Sequence, residues 1–186
     1  MDIKPAVTLA SVTTVVSAAL IIAHNLTYVD TTNLLTEKLA KKCVSLMGEG
    51  SYSIVSDWQE AGYAIPRPDS VSKLIVGNNG KLAFDIVANG YNKGGLDLLI
   101  SMNTDGSVEG IEVVSITETP GLGTNVNDPA FLSEFSGISD KAVIVKKTPV
   151  SANEVETVTG ATYSSKGVAS AVNTAISVYA SMGVKK

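Results

Sequence analysis

The chain has 186 residues, with 14 Lys and Arg against 18 Asp and Glu and a formal net charge of −4. That length holds one domain with its own core plus an anchor, and without a basic, aromatic-interleaved tract the chain is not expected to bind nucleic acid. One cysteine, Cys43, and one histidine, His24, exclude an internal disulfide, a Cys/His metal cluster and Ser/His/Asp chemistry, so any redox activity requires a cofactor.

From Pro5 to Ala23 the sequence reads PAVTLASVTTVVSAALIIA, 19 residues inside a stretch free of Asp, Glu, Lys and Arg between Lys4 and Asp30. As a helix at ~1.5 Å per residue it is just under ~30 Å long, about one hydrocarbon core. A cleaved signal peptide fits less well, because only Lys4 precedes the apolar run and Ala18, Ala19 and Ala23 form no clean cleavage pattern. A single membrane span is expected, with residues 1–29 as anchor and His24 near the interface. Lys4 lies on one side and Lys38, Lys41 and Lys42 on the other, a charge count that does not fix the orientation of a long translocated domain.

Residues 30–186 form the second expected domain. Thr31–Met47 has amphipathic helical spacing, with Cys43 as a small apolar helix residue and Gly48 and Gly50 as terminators. Residues 48–70 have mixed composition and a loop at Pro66 and Pro68. Strands are predicted at Val71–Val76, Lys81–Ala88, Leu96–Met102 and Val108–Thr117, with turns at Asn78–Gly80 and Asn103–Gly106. Asp128 followed by Pro129 starts a short helix to Phe135, Lys141–Lys147 reads as a short strand, and the last helix spans Ser164–Met182 with Val168, Val172, Ala175, Ile176 and Tyr179 as its buried stripe. Hairpins first and a helix last predict an α+β domain with a mostly antiparallel sheet and packed helices.

Two loops stand out. Thr159–Ser165 reads TGATYSS directly before a helix, where free N–H groups and the helix dipole favour a phosphate. The hydroxyls of Thr159, Thr162, Ser164 and Ser165 can ligate or esterify one, while Gly160 permits a sharp turn and Ala161 keeps bulk away. Simple N-capping by Ser164 or Ser165 accounts for the same residues. Glu118–Gly123 reads ETPGLG, in which Thr119-Pro120-Gly121-Leu122 fits a type II turn. Leu122 offers an apolar face and Thr119 and Thr124 offer hydroxyls, although an ordinary surface loop has the same composition.

The stretch Glu156–Thr162, ETVTGAT, resembles the flavinylation motif D-x-x-[S/T]-G-A-[T/S] of FMN-binding domains in Rnf and sodium-pumping NADH:quinone oxidoreductase complexes, with Glu156 where the family usually has Asp. ETPGLG also resembles that family, as does the lead-in from Gly90-Tyr91 to Ile100. The resemblance implies FMN esterified through its phosphate to Thr162 by a magnesium-dependent flavin transferase that uses FAD. It places ETPGLG, with Glu118, Thr119, Gly121 and Leu122, at the isoalloxazine ring; Thr124 beside that turn, and Thr159, Gly160, Ala161, Ser164 and Ser165 at the helix start, are the further expected cofactor contacts. The short chain is similar to the G subunit of an Rnf-type complex more than to the longer C subunit of the quinone oxidoreductase. That likeness implies a single-pass membrane protein with its flavin domain outside the cytoplasm. It also implies the A, B, C, D and E subunits as partners and a relay role between ferredoxin and NAD, coupled to ion movement. No catalytic side chain and no metal ligand is expected. A stand-alone surface flavin carrier and a non-redox interaction domain are the alternative readings.

Overall fold

The computed structural model describes residues 4–27 and 35–183. Contacts divide the chain into two compact units, with the boundary between Thr32 and Asn33.

The first unit contains helix α1, Lys4–Thr27. None of the residues Val7–His24 with described side chains is buried, and Val7, Leu9, Val12, Val15, Val16, Leu20, Ile21 and Ile22 are exposed. The helix is long and apolar enough to cross a membrane. Several of its hydroxyls bond back along the helix: Thr14 donates to the Ala10 carbonyl at 2.8 Å, Thr13 to Leu9 at 3.0 Å and Thr27 to Ala23 at 2.7 Å. These bonds make polar residues tolerable in a hydrocarbon environment.

The second unit is an α+β domain, as expected. Helix α2, Glu37–Met47, starts at Thr36, whose side chain accepts from the Leu39 N–H, and ends at Gly48 with φ +87°. Part of the helix predicted to begin at Thr31 lies outside the described residues. Strands β1 (Tyr52–Val55), β2 (Lys73–Gly77), β3 (Leu82–Ala88), β4 (Leu96–Met102) and β5 (Val108–Ile116) form an antiparallel meander in that order. Strand β1 was not predicted; it is a four-residue edge strand within residues 48–70.

Period-2 alternation gives the sheet two buried faces. On one, Ile75, Ala83 and Leu99 pack against Leu39, Cys43 and Met47 of α2. On the other, Leu74, Phe84, Ile86, Leu98 and Ile100 belong to the main core, with Val168, Val172, Ala175 and Tyr179 of the last helix. Between β5 and that helix the chain forms a 3-10 turn at Gly123–Asn127 and the short helix α3, Pro129–Ser133. Asp128 caps α3, its Oδ1 accepting from the Ala130 N–H at 2.9 Å. The last helix, α4, spans Thr162–Ser181, starting two residues earlier than predicted. The predicted strand at Lys141–Lys147 shortens to β6, Val143–Val145, which pairs in parallel with an unpredicted strand β7, Glu154–Glu156. The meander carries ETPGLG on the exit of β5, and β7 delivers TGAT to the start of α4.

Candidate functional site

The exit of β5 folds back at once. The Leu122 N–H donates to the Thr119 carbonyl at 3.2 Å, and Gly121 has φ +71°, as a type II turn requires. The turn is braced from within: the Thr124 hydroxyl accepts from the Gly121 N–H at 2.9 Å, and Asn125 Nδ2 donates to the Gly121 carbonyl at 3.0 Å. The second loop turns at Gly160, φ +78°, where the Ala161 N–H donates to the Val158 carbonyl at 2.9 Å. A Cβ at Gly160 would stand 3.1 Å from Leu122 Cδ2. The two loops, about 40 residues apart in sequence, therefore touch through a position that tolerates little more than glycine.

Together they line a cleft of about 380 Å³ formed by Tyr91, Thr119, Leu122, Gly123 and residues 160–164. That is within the size range of small-molecule sites, ~300–1,000 Å³. A larger cavity of about 700 Å³ lies between β6 and α4, lined by Lys141, Lys166, Asn173 and small residues. It holds none of the residues singled out in the sequence, so size alone does not locate the chemistry.

The four hydroxyls of TGATYSS separate in the fold. Ser164 is buried and donates to Glu118 Oε2 at 2.5 Å. Ser165 is fully buried and accepts from the Val158 N–H at 3.1 Å. Neither caps the helix, whose N-cap is Ala161 without any side-chain cap. The capping alternative for Ser164 and Ser165 is corrected, and both hydroxyls carry a protein partner; Ser164 still lines the cleft. Thr162 is the first residue of α4, is half-buried, lines the cleft, and among the described residues its hydroxyl has no hydrogen-bond partner. Thr159 is exposed and faces a neighbouring hollow shared with Thr124, Asn125 and Asp128.

Glu118 does not line the cleft either. It is buried, and its carboxylate accepts from the Tyr91 and Asn92 N–H groups at 2.9 Å each and from Ser164. Burial would raise its pKa, but the bonds from Ser164, Asn92 and Tyr91 outweigh burial and hold the carboxyl below the ordinary range. Thr119, Leu122, Gly160, Ala161 and Thr162 do share the cleft; Gly121 and Thr124 shape its turn.

The sequence reading missed Tyr91 and Tyr163. Both are exposed, and their rings meet edge to face at 6.2 Å on the rim of the cleft. Tyr163 lies within TGATYSS and Tyr91 in the Gly90–Ile100 lead-in, so their place in stretches already noted was their only signal. The remaining cleft surface is small or apolar, with Gly123, Gly160 and Ala161 as floor and Leu122, half-exposed, as an apolar edge. A flat ring against an aromatic rim and an apolar edge, next to an uncommitted hydroxyl at a helix start, fits a phosphorylated aromatic cofactor.

The sequence family described as FMN-binding domain matches residues 90–177. Two curated relatives are similar over a longer stretch. One is the G subunit of the Na(+)-translocating ferredoxin:NAD(+) oxidoreductase complex of Acetobacterium woodii, 33% identical over 120 residues, covering 61% of this chain and 58% of that protein. The other is the G subunit of the proton-translocating ferredoxin:NAD(+) oxidoreductase complex of Clostridium ljungdahlii, 33% identical over 99 residues, covering 53% and 54%. The chain thus spans a little over half the length of the curated relatives it matches. Among solved structures, the C subunit of the Na(+)-translocating NADH-quinone reductase from Parabacteroides distasonis aligns at 26% identity and a TM-score of 0.47, over 62% of this chain and 65% of that one.

Proposed function

We propose that this chain is the membrane-anchored FMN carrier of an Rnf-type, ion-translocating ferredoxin:NAD oxidoreductase complex, with the flavin esterified through its phosphate to Thr162. The observation that carries the reading is the separation of the hydroxyls. Of the four at the start of α4, Ser164 and Ser165 are committed to protein partners. Thr162 has no partner among the described residues and lines the cleft where both motifs meet.

Thr162 Oγ1 would hold the flavin through its phosphate as an ester, with FAD as donor, AMP as the leaving group and the hydroxyl proton released to solvent. A phosphate held there would stand at the N-terminus of a 20-residue helix that no side chain caps, where its charge would be favoured by ~0.3–1 kcal/mol. Bound FMN supplies one- and two-electron redox chemistry. This chain's own residues hold the group, with Thr162 as tether, the Gly160-Ala161 turn below it, and Leu122, Thr119, Tyr91 and Tyr163 around the ring. No side chain is required to move a proton.

Residues 1–29 serve as the anchor, through α1, and residues 30–186 as the flavin domain on the extracytoplasmic side, with the A, B, C, D and E subunits and a flavin transferase as partners. To test attachment, wild-type protein made together with a flavin transferase is unfolded in denaturant and desalted. The chromophore is expected to stay with the polypeptide; a yellow colour that leaves with the denaturant contradicts the tether. Isolation from native membranes is expected to bring iron–sulfur and multispan proteins with the chain, and isolation of the chain alone contradicts its place in a complex.

A further inference from the structure

The Glu118 carboxylate stands where three separate segments meet. Oε1 accepts from the Asn92 N–H at 2.9 Å, and Oε2 accepts from the Tyr91 N–H at 2.9 Å and the Ser164 hydroxyl at 2.5 Å. The residue is only 4% exposed. Its surroundings are shaped for it: a Cβ at Gly90 would lie 2.7 Å from Cδ, one at Gly95 2.1 Å from Oε1, and one at Gly123 2.8 Å from Oε2. Real Cβ atoms do not approach that closely, so these glycines leave room for this one carboxylate. Hydrogen bonds to a charged group contribute ~1.5–3 kcal/mol each, and leaving one donor buried and unmet costs a similar amount.

Each of the three segments also supplies part of the cleft. Tyr91 comes from the loop between β3 and β4, Thr119, Leu122 and Gly123 from the turn after β5, and Thr162 to Ser164 from the first turn of α4. Elsewhere the turn and the helix start meet through glycine contacts, Gly160 with Leu122 and Gly123 with Ser164, and such contacts limit approach without fixing direction. Glu118 is the group that bonds to all of them at once.

On this ground we infer that Glu118 is the positioning residue of the flavin site. It does not touch the flavin. It holds the aromatic rim, the apolar edge and the helix start that bears Thr162 in one arrangement, and so sets the environment of the ring. The inference rests on the FMN reading above, and it replaces the sequence-based expectation that Glu118 contacts the cofactor.

The test is Glu118→Gln in the full-length chain, made with the transferase and purified in detergent. The substitution keeps the volume among the three glycines but replaces one acceptor oxygen with an NH₂ group. In either amide orientation at least one of the three donors then faces another donor. The E118Q protein is expected to keep flavin on Thr162, to lose the induced visible circular dichroism of the ring, and to move its reduction potential toward that of free FMN. A lower melting temperature does not discriminate, because a purely structural role gives that too. Flavin-loaded E118Q with wild-type visible dichroism and wild-type potential overturns the inference.

Ser164→Ala keeps Glu118 and its two backbone donors. It is expected to change the dichroism in the same direction by less, and it decides the matter if E118Q is not recovered folded: wild-type dichroism and potential in S164A then overturn the inference. A wild-type protein without flavin overturns the FMN reading and this inference together. A yellow wild type beside an indistinguishable variant overturns this inference alone.

Discussion

The face of the sheet under α2 carries an unusual pair. Asp85 of β3 and Asp97 of β4 lie diagonally on that face, since Asp85 is paired with Leu99 and Val87 with Asp97. Lys73 Nζ bonds Asp85 Oδ2 at 2.9 Å. The Oδ1 atoms of both aspartates are buried without a donor, so one proton held between them satisfies both. Burial first, then the hydrogen bond and the charge of Asp85, push the Asp97 carboxyl from 3.8 up to about 7, with Lys73 and Lys38 opposing. Cys43 of α2 faces the same group. The folded chain holds this proton more tightly than the unfolded chain, so its contribution is complete below 3.8, declines as pH rises to about 7, and is gone above that. At ~1.4 kcal/mol per tenfold in proton affinity, the ceiling is about 4 kcal/mol. Asp97 is partly exposed, and solvent screening brings the expected loss to roughly 1–2 kcal/mol. Urea unfolding of the full-length chain in detergent, followed by the fluorescence of Trp58, the single and buried tryptophan, measures it. Between pH 5 and pH 8 the wild type is expected to lose that much stability relative to Asp97→Asn, which has no proton to lose. An Asp97→Asn protein with the wild-type pH slope refutes the shared proton.

The same burial governs Cys43, which is fully enclosed, with a thiol pushed up to about 11 first by burial and then by the Asp85 charge. It should resist thiol reagents in the folded protein and react once urea unfolds the domain; full labelling in native buffer contradicts the packing of α2. Gly160 and Gly121 separate two effects. Both have positive φ, so alanine at either costs ~1–2 kcal/mol of backbone strain. Only a Cβ at Gly160 meets a neighbour, Leu122, while one at Gly121 meets nothing within 4 Å. Denaturant titrations should give similar losses for Gly160→Ala and Gly121→Ala, with flavin occupancy falling further in Gly160→Ala. Equal occupancy in the two would mean that the contact between the loops does not shape the cleft.

The parts of the fold that were legible in the sequence are those where one local rule suffices. The stripe Val168, Val172, Ala175 and Tyr179 repeats at helical spacing and is buried, with Ile176 partly buried against it, Asp128-Pro129 carries both a cap and a first-turn proline, and β3 to β5 alternate or run apolar between turn residues. Strand β1 was not legible because YSIV is short, lies at the sheet edge and takes its pairing from β2 across residues 56–72. Strand β7, Glu-Val-Glu, buries only Val155 and exists through its parallel partner β6. In the site, motif spelling located the two loops and singled out Thr162. It could not say which hydroxyls face the cleft, because that depends on how α4 is rotated against the sheet. Packing of Val168 and Val172 sets that rotation, and it buries Ser164, which lines the cleft, against Glu118 and Ser165 against Val158. Nor could it show that the first residue of ETPGLG is buried against other segments, since Glu118 meets donors 26, 27 and 46 residues distant.

The flavin tether rests on one oxygen atom, Thr162 Oγ1. Peptide mass spectrometry of the segment containing Thr162, on wild-type and Thr162→Ala chains made with a flavin transferase, tests it most directly. The wild-type peptide is expected to carry the mass of FMN joined through its phosphate with loss of one water, and the Thr162→Ala peptide to carry none. An unmodified wild-type peptide, or a Thr162→Ala chain that still holds the flavin covalently, contradicts the account.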